Sequence, residues 1–247
     1  MNAKIICIWG SPGSGKTVCA LSLAAVLAEK KKNVIVFNGD KLTPALKLYC
    51  PSLEIDSKRS IGPLLMSGRY DDVLFAEKML VHPECEYISF IGMAPSDTII
   101  TYNEFERSFV ISMLNKMAQL ADYVIIDGTV NPIDDAMTLA SLELADHIIR
   151  IITADTRGLL YLDSARSIYS EPKYKFDRHI TVLGNVHEVS PVSEIMSVSG
   201  KYDYVLPYSS EIENRYIGGE LLRDMKRSVS RKFESKIRQM VKGLTKE

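Results

Sequence analysis

No apolar run in this chain of 247 residues approaches the ~20 residues that cross a bilayer as a helix, so no membrane-spanning helix is predicted. There is little net charge either. Thirty Lys and Arg against 31 Asp and Glu give −1, which supplies no global argument for nucleic acid or anionic lipid. Cysteine is scarce. Cys7, Cys19, Cys50 and Cys85 form no CxxC and have no His at ligand spacing. That disfavours both a disulfide framework and a zinc site, and predicts reduced, mostly buried thiols in a cytosolic protein. His82, Glu84 and Cys85 fall within four positions, too tight to converge on one metal. There is no internal repeat, low-complexity tract or linker, so residues 1–247 are expected to form a single domain. The opening "MNAKIICIWG" runs straight into a loop and is read as a first strand, not a signal peptide.

What is present is alternation. Strand-like runs occur at 4–10, 33–40, 87–93, 122–128, 147–153, 179–185 and 202–207. Helical patterns lie between them at 16–32, 102–121, 134–145, 156–170 and 191–199, and a long helix closes the chain. "KIICIWG" is continuously apolar, as a strand buried on both faces requires. The pattern predicts an α/β fold in three layers: one mostly parallel sheet of about seven strands, with helices on both faces. The region 41–86 is the least readable. "RSIGPLLMSGRYDD" reads as a helix start followed by a loop.

Between the first strand and the first helix stands "GSPGSGKT", residues 10–17. It fits G-x-x-x-x-G-K-[ST], with Gly10, Gly15, Lys16 and Thr17 at the fixed positions and Ser11, Pro12, Gly13 and Ser14 between them. Gly13 and Gly15 allow a concave nest of inward-pointing amides. Ser14 is small enough to leave room for a phosphate. Lys16 brings a point charge to the β- and γ-phosphates, and Thr17 offers a hydroxyl to Mg²⁺. The helix that follows aims its positive end at the anion. A glycine-rich turn with an accidental lysine is the competing reading, and placement between strand and helix argues against it. Lys16 is therefore both a nucleotide-binding and a catalytic candidate, and ATP or ADP with Mg²⁺ is the expected ligand.

Two carboxylates stand at strand ends on the same predicted edge. Asp127 ends "YVIID" and is placed to reach Mg²⁺, directly or through water; a strand-terminal Asp that merely starts a turn is the alternative. Asp40 ends "VIVFNGD" on a strand expected close to the first. It could position an attacking water or hold a metal-bound one, which makes it a catalytic and metal candidate with Thr17 and Asp127. The alternative is an Asp capping a loop, with Asn38 and Gly39 making the turn.

The order of phosphate loop, "VIVFNGD", a distant "DYVIID", "VLGN" and "YVLPYSSEIENRYIGGELL" resembles the ParA/MinD family of bacterial P-loop ATPases (SIMIBI class), over nearly the whole chain. In character it is nearest the atypical CpaE and TadZ localisation factors of pilus systems. The resemblance implies that Asn185 reads the adenine edge, with backbone near Pro207 flanking the base, and that an irregular polar stretch follows Pro207. An Asn in a strand-exit turn is the competing reading for Asn185. The resemblance also implies a bacterial cytoplasmic, possible peripheral or polar location, a homodimer across the nucleotide, and a pilus, secretion, conjugation or partition apparatus as partner. "KLTPALKLYCP" is similar to the family's first switch segment.

The chain departs from that family in its loop. Where K-G-G-x-G-K-T carries a lysine that crosses to the other subunit's nucleotide, this chain has Ser11. A cation supplied in trans is worth roughly 10³–10⁵ in rate in other phosphoryl-transfer systems, so weak hydrolysis and a nucleotide-dependent shape or dimer state are expected. Pro132 is also displaced from its usual place after Asp127. In the last helix, Met225, Val229, Phe233, Ile237, Val241 and Leu244 form one stripe, and most of the basic residues lie off it. A membrane-surface or DNA-binding face is the sharper reading of that pattern; a helix packed on the sheet with a solvated basic face is favoured. Two alternatives remain for function. One is a non-hydrolysing ATP-bound localisation scaffold. The other is a small-molecule kinase, for which the middle of the chain lacks the Arg-rich lid such enzymes use.

Overall fold

The computed structural model describes residues 3–97, 100–102, 104–129 and 136–245. In chain order the elements are β1 (Lys4–Gly10), α1 (Lys16–Glu29), β2 (Val34–Asn38), α2 (Leu46–Tyr49), α3 (Gly62–Ser67), α4 (Asp72–Lys78), β3 (Leu80–His82) and β4 (Cys85–Gly92). Then come α5 (Arg107–Leu120), β5 (Tyr123–Asp127), α6 (Ala136–Leu144), β6 (His147–Thr153), α7 (Thr156–Ile168), β7 (Ile180–Val186), α8 (Val192–Ser199), β8 (Tyr204–Pro207), α9 (Ser210–Gly218) and α10 (Ser228–Leu244).

The sheet has eight strands in the order β3-β4-β2-β5-β1-β6-β7-β8. All neighbours are parallel except β3 and β4. The eighth strand, absent from the sequence reading, is β3. It is three residues long and antiparallel, too short to show periodicity. It closes an edge hairpin in which His82 Nδ1 accepts from the Glu84 amide at 3.0 Å, so that ring serves the turn. β2 does not pair with β1; β5 lies between them. Chain runs cross β5 from β1 to β2 and cross β1 from β5 to β6, so β1 is flanked by strands reached from opposite directions. This is where open α/β sheets place ligands.

Each strand of the centre is buried on both faces. Ile6 and Ile8 of β1 join a core with α1, α2, α9 and α10, whereas Cys7 and Trp9 join one with α3, α5 and α6. That two-sided burial is why the sequence reads as unbroken apolar runs. The stretch after Pro207, expected to be irregular, forms α9 instead, with the Ser209 hydroxyl accepting the Ile212 amide at its start. The apolar face of α10 is covered: Phe233, Ile237, Val241 and Leu244 are buried against the body of the protein. Val229 is the exception, 40% exposed. Arg231, Lys232 and Lys236 remain on the open face, and Arg238 is paired with Glu29 and Glu234. Among the described residues no helix is long and apolar enough to cross a membrane. Pro132 lies outside the described residues.

Candidate functional site

The loop leaves β1 and enters α1 through glycines that the backbone requires. Gly13 has φ +69° and Gly15, at the start of α1, has φ +87°. Glycine adopts these values at no steric cost, and together they curl the chain so that its amides converge. The first turn of α1 contains no acidic residue, so its N-terminal field is left for an external anion.

Lys16 folds back over the loop. Its Nζ donates to the carbonyls of Gly10 at 3.1 Å and Ser11 at 2.9 Å. Burial lowers its pKa to about 8, against the pull of Asp127 and Asp40, which raise it. Thr17 Oγ1 donates to Asp127 Oδ2 at 2.8 Å, which places the loop hydroxyl and the strand-end carboxylate side by side. Asp127 is 2% exposed. Burial pushes its carboxyl upward, and the Thr17 and Tyr49 hydroxyls and the Lys16 ammonium pull it back. A hydroxyl and a carboxylate in contact are the hard oxygen ligands that suit Mg²⁺, so the residues present fit both the metal and the phosphates.

Gly13, Ser14, Gly15, Lys16, Thr17, Asn185 and Pro207 line one cavity of about 300 Å³. That lies at the lower end of the range for small-molecule sites. Asn185 sits in the left-handed region, φ +53°, and its amide nitrogen donates to the Gly13 carbonyl at 3.2 Å. It therefore joins the β7 exit to the loop as well as lining the cavity. Pro12 is exposed at the tip and does not line the cavity. Ser11 is fully buried, with its hydroxyl accepting the Thr153 amide at 3.0 Å. Asp40 lies beyond β2, close enough to Lys16 to raise its pKa. Its Oδ1 accepts the amides of Leu42 and Thr43 at 2.8 and 3.0 Å, a loop-capping arrangement. Asn38 assists both: its side chain accepts the Asp40 amide and donates to the Asp127 carbonyl.

Several site residues escaped the sequence reading. Tyr208, Ser209, Glu213 and Tyr216 line the cavity wall opposite the loop. Tyr208 donates to Glu213 at 2.7 Å and stacks on His187, ring centroids 4.3 Å apart. Tyr49 reaches Asp127 Oδ2 at 2.8 Å across 78 positions of sequence. The signal for the first group was the strand ending in Pro207; for Tyr49 there was none.

The sequence matches no family model and no curated protein. Solved structures do match. A ParA family ATPase from Chlorobium tepidum superposes with TM-score 0.75 at 15% identity, covering 96% of this chain and 98% of that one. The cell division ATPase MinD of Pyrococcus furiosus gives 0.74 at 13%, covering 98% and 100%. The septum site-determining protein MinD from Pyrococcus horikoshii, complexed with Mg-ADP, gives 0.71 at 13%, covering 99% and 96%. At these identities the likeness is one of fold. The chain therefore has the three-layer α/β fold of the MinD and ParA ATPases, with a glycine-rich phosphate loop at the carboxyl edge of its sheet.

Proposed function

We propose that the protein binds ATP with Mg²⁺ in the cavity above Gly10–Thr17, hydrolyses it slowly, and works as a nucleotide-dependent switch in the cytoplasm. Its output would be the positioning or assembly of a cellular apparatus, of the pilus, secretion, conjugation or partition kind. The observation that carries this reading is that Lys16 and Thr17 line one cavity with Asn185 and Pro207, while the Thr17 hydroxyl bonds the buried Asp127 carboxylate just behind it.

The roles follow from the groups. The loop amides and the N-terminus of α1 receive the phosphate chain. Lys16 exchanges the Gly10 and Ser11 carbonyls for phosphate oxygens, a stronger partner for an ammonium. Mg²⁺, held by Thr17 and by Asp127 directly or through water, would neutralise charge between the β- and γ-oxygens. Asp40 Oδ1 is committed to its turn, so a role toward water or metal would fall to its other oxygen. Asn185 and the wall of Pro207 and Tyr208 would hold the base.

Buried Ser11 favours a second reading, a nucleotide-bound scaffold without turnover. One experiment separates the readings. ATP binding is followed through Trp9, the single tryptophan, immediately before Gly10, and ADP formation is followed with and without candidate acceptors. Slow acceptor-independent ADP supports the switch, binding alone the scaffold, and acceptor-dependent ADP a kinase. Lys16→Ala is expected to weaken ATP at least roughly a hundredfold, by loss of a charge-assisted contact. Unchanged affinity in that variant would refute the site. The homodimer is tested by solution mass with ADP and with a slowly hydrolysed ATP analogue.

A further inference from the structure

The segment after β2 is fastened to the site at both ends. At its start, Asp40 holds the amides of Leu42 and Thr43. At its end, Tyr49, the last residue of α2, is 2% exposed and donates its hydroxyl to Asp127 Oδ2 at 2.8 Å. That is the same oxygen that accepts the Thr17 hydroxyl, also at 2.8 Å. The Tyr49 ring stacks on Phe90 of β4, centroids 5.0 Å apart and planes 29° apart. The sheet, more than the loop, therefore aims the hydroxyl.

We infer that Tyr49 is a positioning residue for the magnesium carboxylate. With Thr17 it pins Asp127 by Oδ2, so that Oδ1 would be the oxygen that meets the metal and its water. The inference rests on the ATP–Mg²⁺ reading above. A terminal carboxylate torsion is soft, and one hydrogen bond leaves it free to swing. Two donors on Oδ2 fix it. The same bond ties the metal site to the stretch from Asp40 to Cys50, whose tip exposes Leu42 at 73%. Metal occupancy is thereby coupled to the posture of an exposed segment.

Tyr49→Phe removes one oxygen and keeps the ring stack. Trp9 fluorescence is titrated with ADP in excess chelator and then at rising Mg²⁺. Affinity in chelator is expected to match the unaltered protein, and the Mg²⁺ concentration at half-effect to rise about tenfold, the lower end of what a hydrogen bond to a charged group contributes. Tyr70→Phe is the control. It removes a half-buried hydroxyl that donates to the Phe109 carbonyl at 2.8 Å, away from the site, and should leave the Mg²⁺ midpoint unchanged. Thermal unfolding in chelator reports whether each variant is folded. An unshifted midpoint in Tyr49→Phe overturns the inference, as does an equal loss of affinity with and without metal, which would mark a packing role. Failure of the unaltered protein to bind ADP at all would instead overturn the nucleotide reading.

Discussion

Raising the pH from about 7 to about 9.5 should loosen nucleotide binding, and the magnitude follows from Lys16. Burial holds its ammonium at a pKa of about 8 instead of 10.5. A bound polyphosphate supplies the opposing charge and restores at least the ordinary value, because an anion in contact favours the protonated form. The complex then binds more protons than the free protein between these two values, so affinity is fully present below about pH 8 and declines as pH rises through it. With one proton linked, Kd rises about tenfold near pH 9 and roughly 30-fold near pH 9.5, about 2 kcal/mol. The amino group keeps some contact with solvent, so this is an upper figure. The nucleotide does not confound the range, since a phosphate's last proton leaves near pH 6. Trp9 fluorescence titrations of ADP across the range measure the slope, and Lys16→Met should bind weakly with no slope. A Kd constant from about pH 7 to about 9.5 would refute the argument that Lys16 meets the phosphates from a dehydrated position.

Two further outcomes follow from the same neighbourhood. His179 is buried, accepts Trp9 Nε1 at 3.3 Å and has its pKa lowered to about 4, mainly by burial. Its depressed value makes its contribution complete above about pH 6.5 and lost as pH falls, so urea unfolding should show about 2–3 kcal/mol less stability near pH 4.5, an increment that His179→Gln abolishes. Gly184 lies where β7 passes the loop, and an added Cβ would stand 2.1 Å from the Ser14 carbonyl. Gly184→Ala should therefore cost roughly 1–3 kcal/mol by chemical denaturation, and it should weaken ADP about tenfold because the loop itself must move.

The parts of the site that were legible in sequence are those whose meaning is local. The glycine torsions at Gly13 and Gly15 and the start of α1 at Lys16 and Thr17 are set within eight residues, so spacing alone marks them as candidates. Asp127 was legible because a central strand buried on both faces ends abruptly in a charge. β6 was read with its exact bounds, His147–Thr153, for the same reason. The edge was not. β3 has three residues and α2 four, lengths at which neither period can repeat. The strand before Asp40 was expected close to the first; it lies one strand away, with β5 between, and that exact order is a property of the assembled sheet. Tyr49 is the clearest case. Nothing in "KLYCP" marks it, because its partner is supplied by a strand that folds against it from 78 positions away.

The departure at Ser11 is not a single missing charge. Its side chain points inward, where the hydroxyl takes the Thr153 amide, and its own amide donates to the Ile151 carbonyl at 3.0 Å. Its carbonyl receives both Ser14 Oγ at 2.8 Å and Lys16 Nζ. Thr153 in turn donates to Asp155, which caps α7 through the Gly158 amide at 2.7 Å. The back of the loop is thus sewn to β6 by a serine, and a cation at that position would have to leave Thr153 unpaired to reach a phosphate. Charge developing at a γ-phosphate would be met by Lys16, the loop amides and the metal, without the roughly 10³–10⁵ that a second cation contributes. On the proposed reading, a bound ATP would then be hydrolysed slowly. The lifetime of each state would then be set by exchange and by contacts with a partner, which suits a protein whose output is a shape more than a turnover.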